Sequence, residues 1–222
     1  MNPSSWWQQV PTKLLLVCGI ESSLLYLAMN VFLPMRLEGY DAASQTVSEL
    51  SAIGAPTRSL WVSLGIVYSL LVVAFGCGVW KSAGANKPLR AAGGALAVDG
   101  FLSLYWPPMH LRGAEFALTD AMHIVWSIAT VLLMMLALGF GAAAFGKRFR
   151  LYSIVTMGIL VVFGTLTGVD GPRIAANLPT PRVGVWERIS IAAFILWVAV
   201  LAVMLLRDRE SAVAYHLGRR SA

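Results

Sequence analysis

Six long apolar runs, separated by shorter polar segments, constrain the fold of this 222-residue chain more than any other feature. A helix needs about 20 mostly apolar residues to cross a bilayer. Helices can cross because they satisfy their backbone hydrogen bonds internally, where the hydrocarbon offers none. The sequence therefore predicts an all-α polytopic membrane protein, a compact bundle of six transmembrane helices with spans at residues 14–33, 59–80, 91–106, 120–145, 151–169 and 189–206.

The composition supports this fold class and excludes others. Apolar residues make up 58% of the chain and charged residues 13%, whereas soluble domains average about 45–50% and about 25%. A soluble domain, a disordered tail and a coiled coil are therefore excluded. The net charge of +6 does not indicate a nucleic-acid partner, because the 17 basic residues lie in short clusters between apolar runs and form no polar face.

Basic residues are distributed unequally between the two sides of the predicted bundle. The N-terminal segment, the second and fourth connections and the C-terminal segment carry 11 Lys and Arg, and the other three connections carry six. Since cytoplasmic segments are enriched in Lys and Arg, we expect both termini to be cytoplasmic and the protein to lie in the cell inner membrane. The predicted organisation is an interfacial segment at 1–13 that contains Trp6 and Trp7, a transmembrane domain at 14–206 and a cytoplasmic tail at 207–222.

Acidic residues are concentrated on the side opposite the predicted cytoplasmic one. Seven lie in the outer loops or at the outer ends of spans, and Asp208 and Glu210 lie inside. The rule that places basic residues gives acidic residues little weight, so their concentration needs another cause. It indicates a polar site on the outer side, formed from Glu38, Asp41, Glu49, Glu115, Asp120, Asp170 and Glu187 or a subset of them.

Two histidines flank the second outer loop. His110 follows two prolines, and His123 lies three residues after Asp120 at the start of the fourth span. Because residues three apart share one face of a helix, Asp120 and His123 are expected to point the same way. Imidazole with carboxylate serves as an acid–base pair or as a ligand set for a divalent metal such as zinc. We therefore take His110, Asp120 and His123 as catalytic candidates and as candidate metal ligands. In the alternative interpretation, Asp120 caps the helix and His123 bonds a backbone carbonyl.

The first outer loop contributes a further catalytic candidate, Glu49. Small hydroxyl residues surround Glu49 in segment 44–51, which favours a short interfacial helix. The alternative for Glu49 is a solvated loop acid. Ser48 is interpreted as the cap of this short helix rather than as a nucleophile, because no histidine lies near it in the sequence.

The third outer loop contributes three candidate substrate-binding residues. Asp170 follows the fifth span, and Glu187 and Arg188 precede the sixth apolar run. Arg188 is expected to balance an outer carboxylate or to bind an anionic headgroup. Glu187 alternatively complements the positive end of the sixth helix.

Within the spans, two ionisable residues and a pair of glycines stand out. Glu21 lies in the first span and Asp99 in the third. Such groups are costly in a bilayer and often mark an ion pathway, although an interhelical hydrogen bond is the alternative. Gly164 and Gly168 have the spacing that lets helices approach closely, within the chain or between the copies of a homo-oligomer.

Three short blocks of the outer loops carry a resemblance to a known family. They are YD at 40–41 with QTVSEL at 45–50, PMH at 108–110 with TDAMH at 119–123, and Pro181 with WERI at 186–189. With the spacing of the six spans over residues 14–206, these blocks resemble the domain-of-unknown-function 998 family of bacterial and archaeal integral membrane proteins. Ser51 replaces the glycine that usually follows Ser-Glu-Leu. The resemblance implies a compact helical membrane protein and no particular reaction.

The sequence leaves open whether the protein is an enzyme. In the leading hypothesis, a His/Asp/Glu pocket on the extracytoplasmic side hydrolyses or binds a lipid or lipid-linked substrate, with a water activated by histidine or metal. One alternative is a non-catalytic lipid-binding or accessory membrane protein. The other is a proton-coupled transporter that uses Glu21 and Asp99.

Overall fold

Each of the six apolar runs forms one helix. The computed structural model of the chain describes residues 11–218, with side chains described for residues 11–209. Trp6 and Trp7 therefore lie outside the described residues, as does most of the predicted interfacial segment. The helices are α1 Thr12–Phe32, α2 Arg58–Ser82, α3 Lys87–Leu102, α4 Leu118–Ala144, α5 Lys147–Val169 and α6 Val183–Gly218. The loops contain the short helices Pro34–Arg36, Val47–Ser51 and Gly171–Ala175.

Several helix boundaries differ from the prediction. α3 begins at Lys87 and α5 at Lys147, each four residues before the predicted start, and α6 continues to Gly218, 12 residues past the predicted end at residue 206. The third helix ends at Leu102, four residues before the predicted end at Trp106, and residues 103–106 form a turn that leads into Pro107. The sixth helix begins at Val183, six residues before the predicted start. Glu187 and Arg188 lie in its early turns. Their polar side chains bond the first outer loop, so these residues can be part of a helix. A hydropathy pattern cannot show such bonds to a distant loop, so the predicted start was too late.

Five of the six helices are long and apolar enough to cross a membrane: Thr12–Arg36, Arg58–Ser82, Leu118–Ala144, Lys147–Ala175 and Val183–Arg209, where the first and fourth include the short helical turn that follows. The remaining helix, α3, has 16 residues. At about 1.5 Å per residue it is roughly 24 Å long, against about 30 Å for the hydrocarbon core. The chain is thus a multi-pass integral membrane protein with five clear candidate spans.

The helices form a closed ring in chain order. Each packs mainly against its predecessor and its successor, and α6 packs back against α1. Close backbone approach joins α2 to α3: a Cβ atom on Gly76 would lie 2.4 Å from the backbone nitrogen of Ala97. The buried centre of the ring includes Leu16, Phe75, Leu96, Leu138 and Trp197.

The ring brings the three long loops to one end of the bundle. Successive helices run in opposite directions, so loops 33–57, 103–117 and 170–182 lie together, opposite the short turns at 83–86 and 145–146. The first two loops touch directly, because the backbone N–H of Ile53 donates to the carbonyl of Met109 over 2.8 Å. We call this the site end.

Gly164 and Gly168 do not pack within the described chain. A Cβ atom at either position would have no neighbouring atom within 4 Å. The glycines therefore lie on an open face of α5, so the alternative of packing within the chain was wrong.

Candidate functional site

A serine from the first loop meets a histidine from α4 at the site end. The Ser48 hydroxyl oxygen lies 3.1 Å from Nε2 of His123, although the residues are 75 positions apart. Ser48 belongs to the short helix Val47–Ser51, whose N-cap is Thr46. The interpretation of Ser48 as the cap was therefore wrong, and the histidine that the local sequence lacked is supplied by another helix.

A backbone carbonyl fixes the tautomer and the orientation of His123. Its Nδ1 lies 2.8 Å from the carbonyl oxygen of Pro107. Since a carbonyl can only accept, Nδ1 carries the proton, and Nε2 of the neutral ring accepts from the Ser48 hydroxyl. The Trp106 ring packs edge-on at 89°, with 5.5 Å between ring centroids. His123 is buried, and its Nε2 is directed at the Ser48 hydroxyl.

Asp120 holds the loop that carries the Pro107 carbonyl. Its carboxylate accepts from the His110 backbone N–H at 2.7 Å and lies 2.9 Å from Nδ1 of His110. It also accepts from the N–H of Ala117, the N-cap of α4, at 2.8 Å. The alternative in which Asp120 caps α4 and His123 bonds a backbone carbonyl is therefore confirmed in its geometry. The contact between His123 and Ser48 is additional to it.

Glu49 is fully buried in an ion pair that sequence reasoning missed. Its Oε1 lies 2.7 Å from Nε of Arg112, and its Oε2 lies 3.1 Å from the Arg112 Nη2. Glu49 also accepts from the backbone N–H of Thr46 at 2.6 Å. Both oxygens are engaged, so the carboxylate fixes the first loop to the second. Arg112 is the only Lys or Arg of loop 103–117, and it lies close in sequence to Glu115 and Asp120, which was the available signal.

The predicted pair of Glu187 and Arg188 binds the first loop to α6. Glu187 accepts from the backbone N–H of Val47, immediately before Ser48. The Arg188 guanidinium donates to the carbonyl of Ala42 at 2.8 Å and to the Tyr40 hydroxyl at 2.7 Å. Burial raises the pKa of Tyr40 to about 12. Arg188 thus donates its hydrogen bonds to loop carbonyls and to the Tyr40 hydroxyl, and the predicted bond to an outer carboxylate is not formed in the described part of the chain.

Three predicted site residues lie apart from the Ser48–His123 pair. Asp170 is 3.8 Å from Arg173 in its own loop. Glu21 is exposed on α1, whereas Asp99 is buried on α3 and its Oδ1 has no hydrogen-bond partner in the described chain. Because α2 lies between α1 and α3, the structure does not bring Glu21 and Asp99 together.

No group of three His, Cys, Asp or Glu side chains in the described part of the chain is arranged to hold a metal ion. His110, Asp120 and His123 share one end of α4, but the Nδ1 atoms of both imidazoles are engaged by protein oxygens.

A comparison with known families identifies the family of the chain. The model of the family described as protein of unknown function (DUF998) matches residues 22–204. The chain belongs to this family. The resemblance seen in the outer-loop blocks is thereby confirmed, and the matched range includes every residue named in this subsection except Glu21. No curated protein and no solved structure matches the chain.

Proposed function

We propose that this integral membrane protein is a hydrolase in which Ser48 is the nucleophile and His123 is the general base. One observation carries the proposal: Nε2 of His123 lies 3.1 Å from the Ser48 hydroxyl while Nδ1 is held by the Pro107 carbonyl. Serine with an oriented imidazole is the recurring arrangement for acyl transfer, whatever group orients the ring. Ester hydrolysis is the reaction it serves most simply.

In the acylation step, the Ser48 oxygen attacks the ester carbonyl carbon and its proton moves to Nε2 of His123. The tetrahedral adduct then breaks its bond to the alkoxy oxygen, which takes that proton from Nε2 and leaves as the alcohol. The acyl group remains on Ser48. The Pro107 carbonyl stabilises the transient imidazolium through the Nδ1 proton.

Water completes the cycle on the same two side chains. A water molecule gives a proton to Nε2 of His123 and attacks the acyl carbon. The bond to Ser48 breaks, the serine oxygen recovers the proton from Nε2, and the carboxylic acid leaves. The net change is ester and water to acid and alcohol, with both residues restored.

Four other predicted site residues act as positioning residues in this proposal: His110, Asp120, Glu49 and Glu187. Asp120 holds the loop that presents the Pro107 carbonyl, and His110 is its partner. Glu49 and Glu187 fix the two backbone N–H groups that precede Ser48, those of Thr46 and Val47. Since a displacement of about 1 Å can reduce a rate roughly 100-fold, such fixed loops matter to the chemistry.

We also propose that α3 crosses the bilayer as a sixth span and that the site end is extracytoplasmic. The argument for the sixth span is that loops 33–57 and 103–117 touch, so the chain must return along α3 between them. The argument for orientation is the excess of Lys and Arg in the turns at the other end. Both termini are then cytoplasmic, and the inner membrane is the expected location.

The test uses purified protein in detergent with p-nitrophenyl butyrate as substrate. We expect Ser48→Ala and His123→Gln each to lower kcat/KM by about 10²–10⁴-fold, the usual contribution of a general base. Ser44→Ala is the control, because Ser44 lies in the same loop and its hydroxyl contacts Asp41 instead. Equal activity in all variants, with unchanged melting temperatures, would reject the proposal. Stoichiometric zinc that is lost in His110→Ala and His123→Ala would favour a metal-activated water instead.

A proton-coupled transporter is the second candidate, and one observation favours it. Asp99 is 3% exposed, and one of its carboxylate oxygens has no partner in the described residues. An intramembrane carboxyl of this kind is a common proton-binding group. In sealed vesicles, Asp99→Asn would abolish a pH-driven proton flux if transport is the function. A flux that is the same in Asp99→Asn as in the wild type would remove this candidate. The absence of any flux in the wild type would remove it as well.

A further inference from the structure

An exposed apolar segment lies directly beside the proposed catalytic site. Phe116 is 57% exposed and Leu118 is 75% exposed. Ala117, between them, donates its backbone N–H to Asp120, the residue that holds the Pro107 loop. The two apolar side chains are therefore fixed close to the groups that position His123.

This segment continues the lipid-facing surface of α4. Large apolar side chains along the same helix are exposed, as expected for a helix in contact with lipid: Ile124, Val125, Ile128, Val131 and Leu132. Phe116 and Leu118 extend this surface to the end of the helix, within one turn of Asp120. The exposed apolar surface of α4 thus extends to the end of the helix that holds Asp120.

The arginines that contact the Ser48 loop are engaged by protein oxygens. Arg112 pairs with Glu49, Arg188 donates to loop carbonyls, and Arg58 donates to the carbonyl of Ser51. Recognition of a phosphate typically uses an arginine that offers its donors to the ligand. These arginines offer theirs to the protein, so the site is better matched to an uncharged polar group than to a phosphate.

We infer that the substrate is a neutral ester lipid of the glyceride class, which reaches Ser48 laterally from the bilayer past Phe116 and Leu118. This inference rests on the proposed hydrolase function. The acyl chain remains against the apolar segment while the ester carbonyl meets Ser48. Ser48 takes the acyl group as the glyceride alcohol leaves, water then hydrolyses the ester on Ser48, and the products are one fatty acid and a glyceride with one acyl chain fewer.

The experiment uses the full chain in phosphatidylcholine vesicles that contain dioleoylglycerol or, separately, phosphatidylglycerol. Fatty acid release is measured for each lipid, and p-nitrophenyl butyrate hydrolysis is measured in parallel. We expect dioleoylglycerol to be cleaved at least about tenfold faster than phosphatidylglycerol. The variant Phe116→Ser/Leu118→Ser should lose about tenfold in kcat/KM on dioleoylglycerol, from the lost apolar contact, and keep its activity on p-nitrophenyl butyrate.

The matched control is a variant of an exposed apolar residue away from α4. Leu178→Ser changes a 49% exposed apolar residue in another loop of the site end and should leave both activities unchanged. Cleavage of p-nitrophenyl butyrate with no release from dioleoylglycerol, or equal release from both lipids, would overturn the substrate class and leave the hydrolase function standing. Hydrolysis of neither lipid nor p-nitrophenyl butyrate would overturn both.

Discussion

The buried ion pair between Glu49 and Arg112 gives the sharpest prediction about how the site is held. The Glu49 side chain is 1% exposed and that of Arg112 is 16% exposed. Removal of one partner from a buried pair leaves an uncompensated charge, which costs about 3–5 kcal/mol. We therefore expect Glu49→Ala to lower the free energy of unfolding by this amount. The first outer loop should lose its position at the same time, so esterase activity should fall.

The assay is reversible unfolding in mixed micelles, followed by tryptophan fluorescence. Arg112→Ala and the double variant complete a mutant cycle, in which the double change should cost less than the sum of the single changes by about 0.5–3 kcal/mol. Asp170→Ala is the matched control, because its pair with Arg173 is more exposed and longer at 3.8 Å, and such pairs contribute at most about 1 kcal/mol.

Two results would refute this reasoning. If Glu49→Ala costs no more than Asp170→Ala, the carboxylate does not anchor the loop. If the single changes add fully in the double variant, the two residues do not interact, and the two outer loops are joined by other contacts.

Three further predictions concern the loops and the open face of α5. Gly184→Ala should lower the free energy of unfolding by about 1–3 kcal/mol, because a Cβ atom there would overlap the carbonyl oxygen of Gln45. The control Gly164→Ala lies in open space and should leave this free energy unchanged. An equal loss in both variants would contradict the close packing of Gly184 against the first loop. Asp120→Ala should lower esterase kcat/KM by about 10- to 100-fold, and Asp120→Asn, which keeps an acceptor for the His110 N–H, should recover most of it; no difference between the two variants would exclude a positioning role. Gly168→Leu should abolish a crosslinked dimer in vesicles with an unchanged melting temperature, whereas a wild type that forms no dimer would show that this face contacts only lipid.

The fold could be predicted largely because membrane helices follow local hydropathy. Each apolar run became a helix, and the spacing of Asp120 and His123 placed both on the first turns of α4. The errors fell where polar residues belong to helices. Glu187 and Arg188 lie inside α6 because the first loop supplies their partners, and a hydropathy pattern contains no information about a partner 140 positions away.

The candidate site could be predicted only in part, because its decisive contacts join distant loops. The acids and histidines of the outer loops lie at one end of the bundle, as their alternation with the spans predicts. No local pattern indicates that Ser48 lies opposite His123, since the contact depends on how the ring of helices closes. The local pattern also does not reveal that Glu49 is neutralised by Arg112, 63 positions away. Long-range pairs of this kind made Glu49, a predicted catalytic candidate, an anchor of the loop and placed Ser48, a predicted cap, beside a histidine.

The most direct test of the account is to map the adduct of a fluorophosphonate, a reagent that modifies serines activated by a neighbouring base. Mass spectrometry of the labelled protein should find the adduct on Ser48, and His123→Gln should slow its formation about 100-fold or more. Labelling of another serine, or labelling of Ser48 at the same rate without His123, would contradict the central claim that this imidazole activates this hydroxyl.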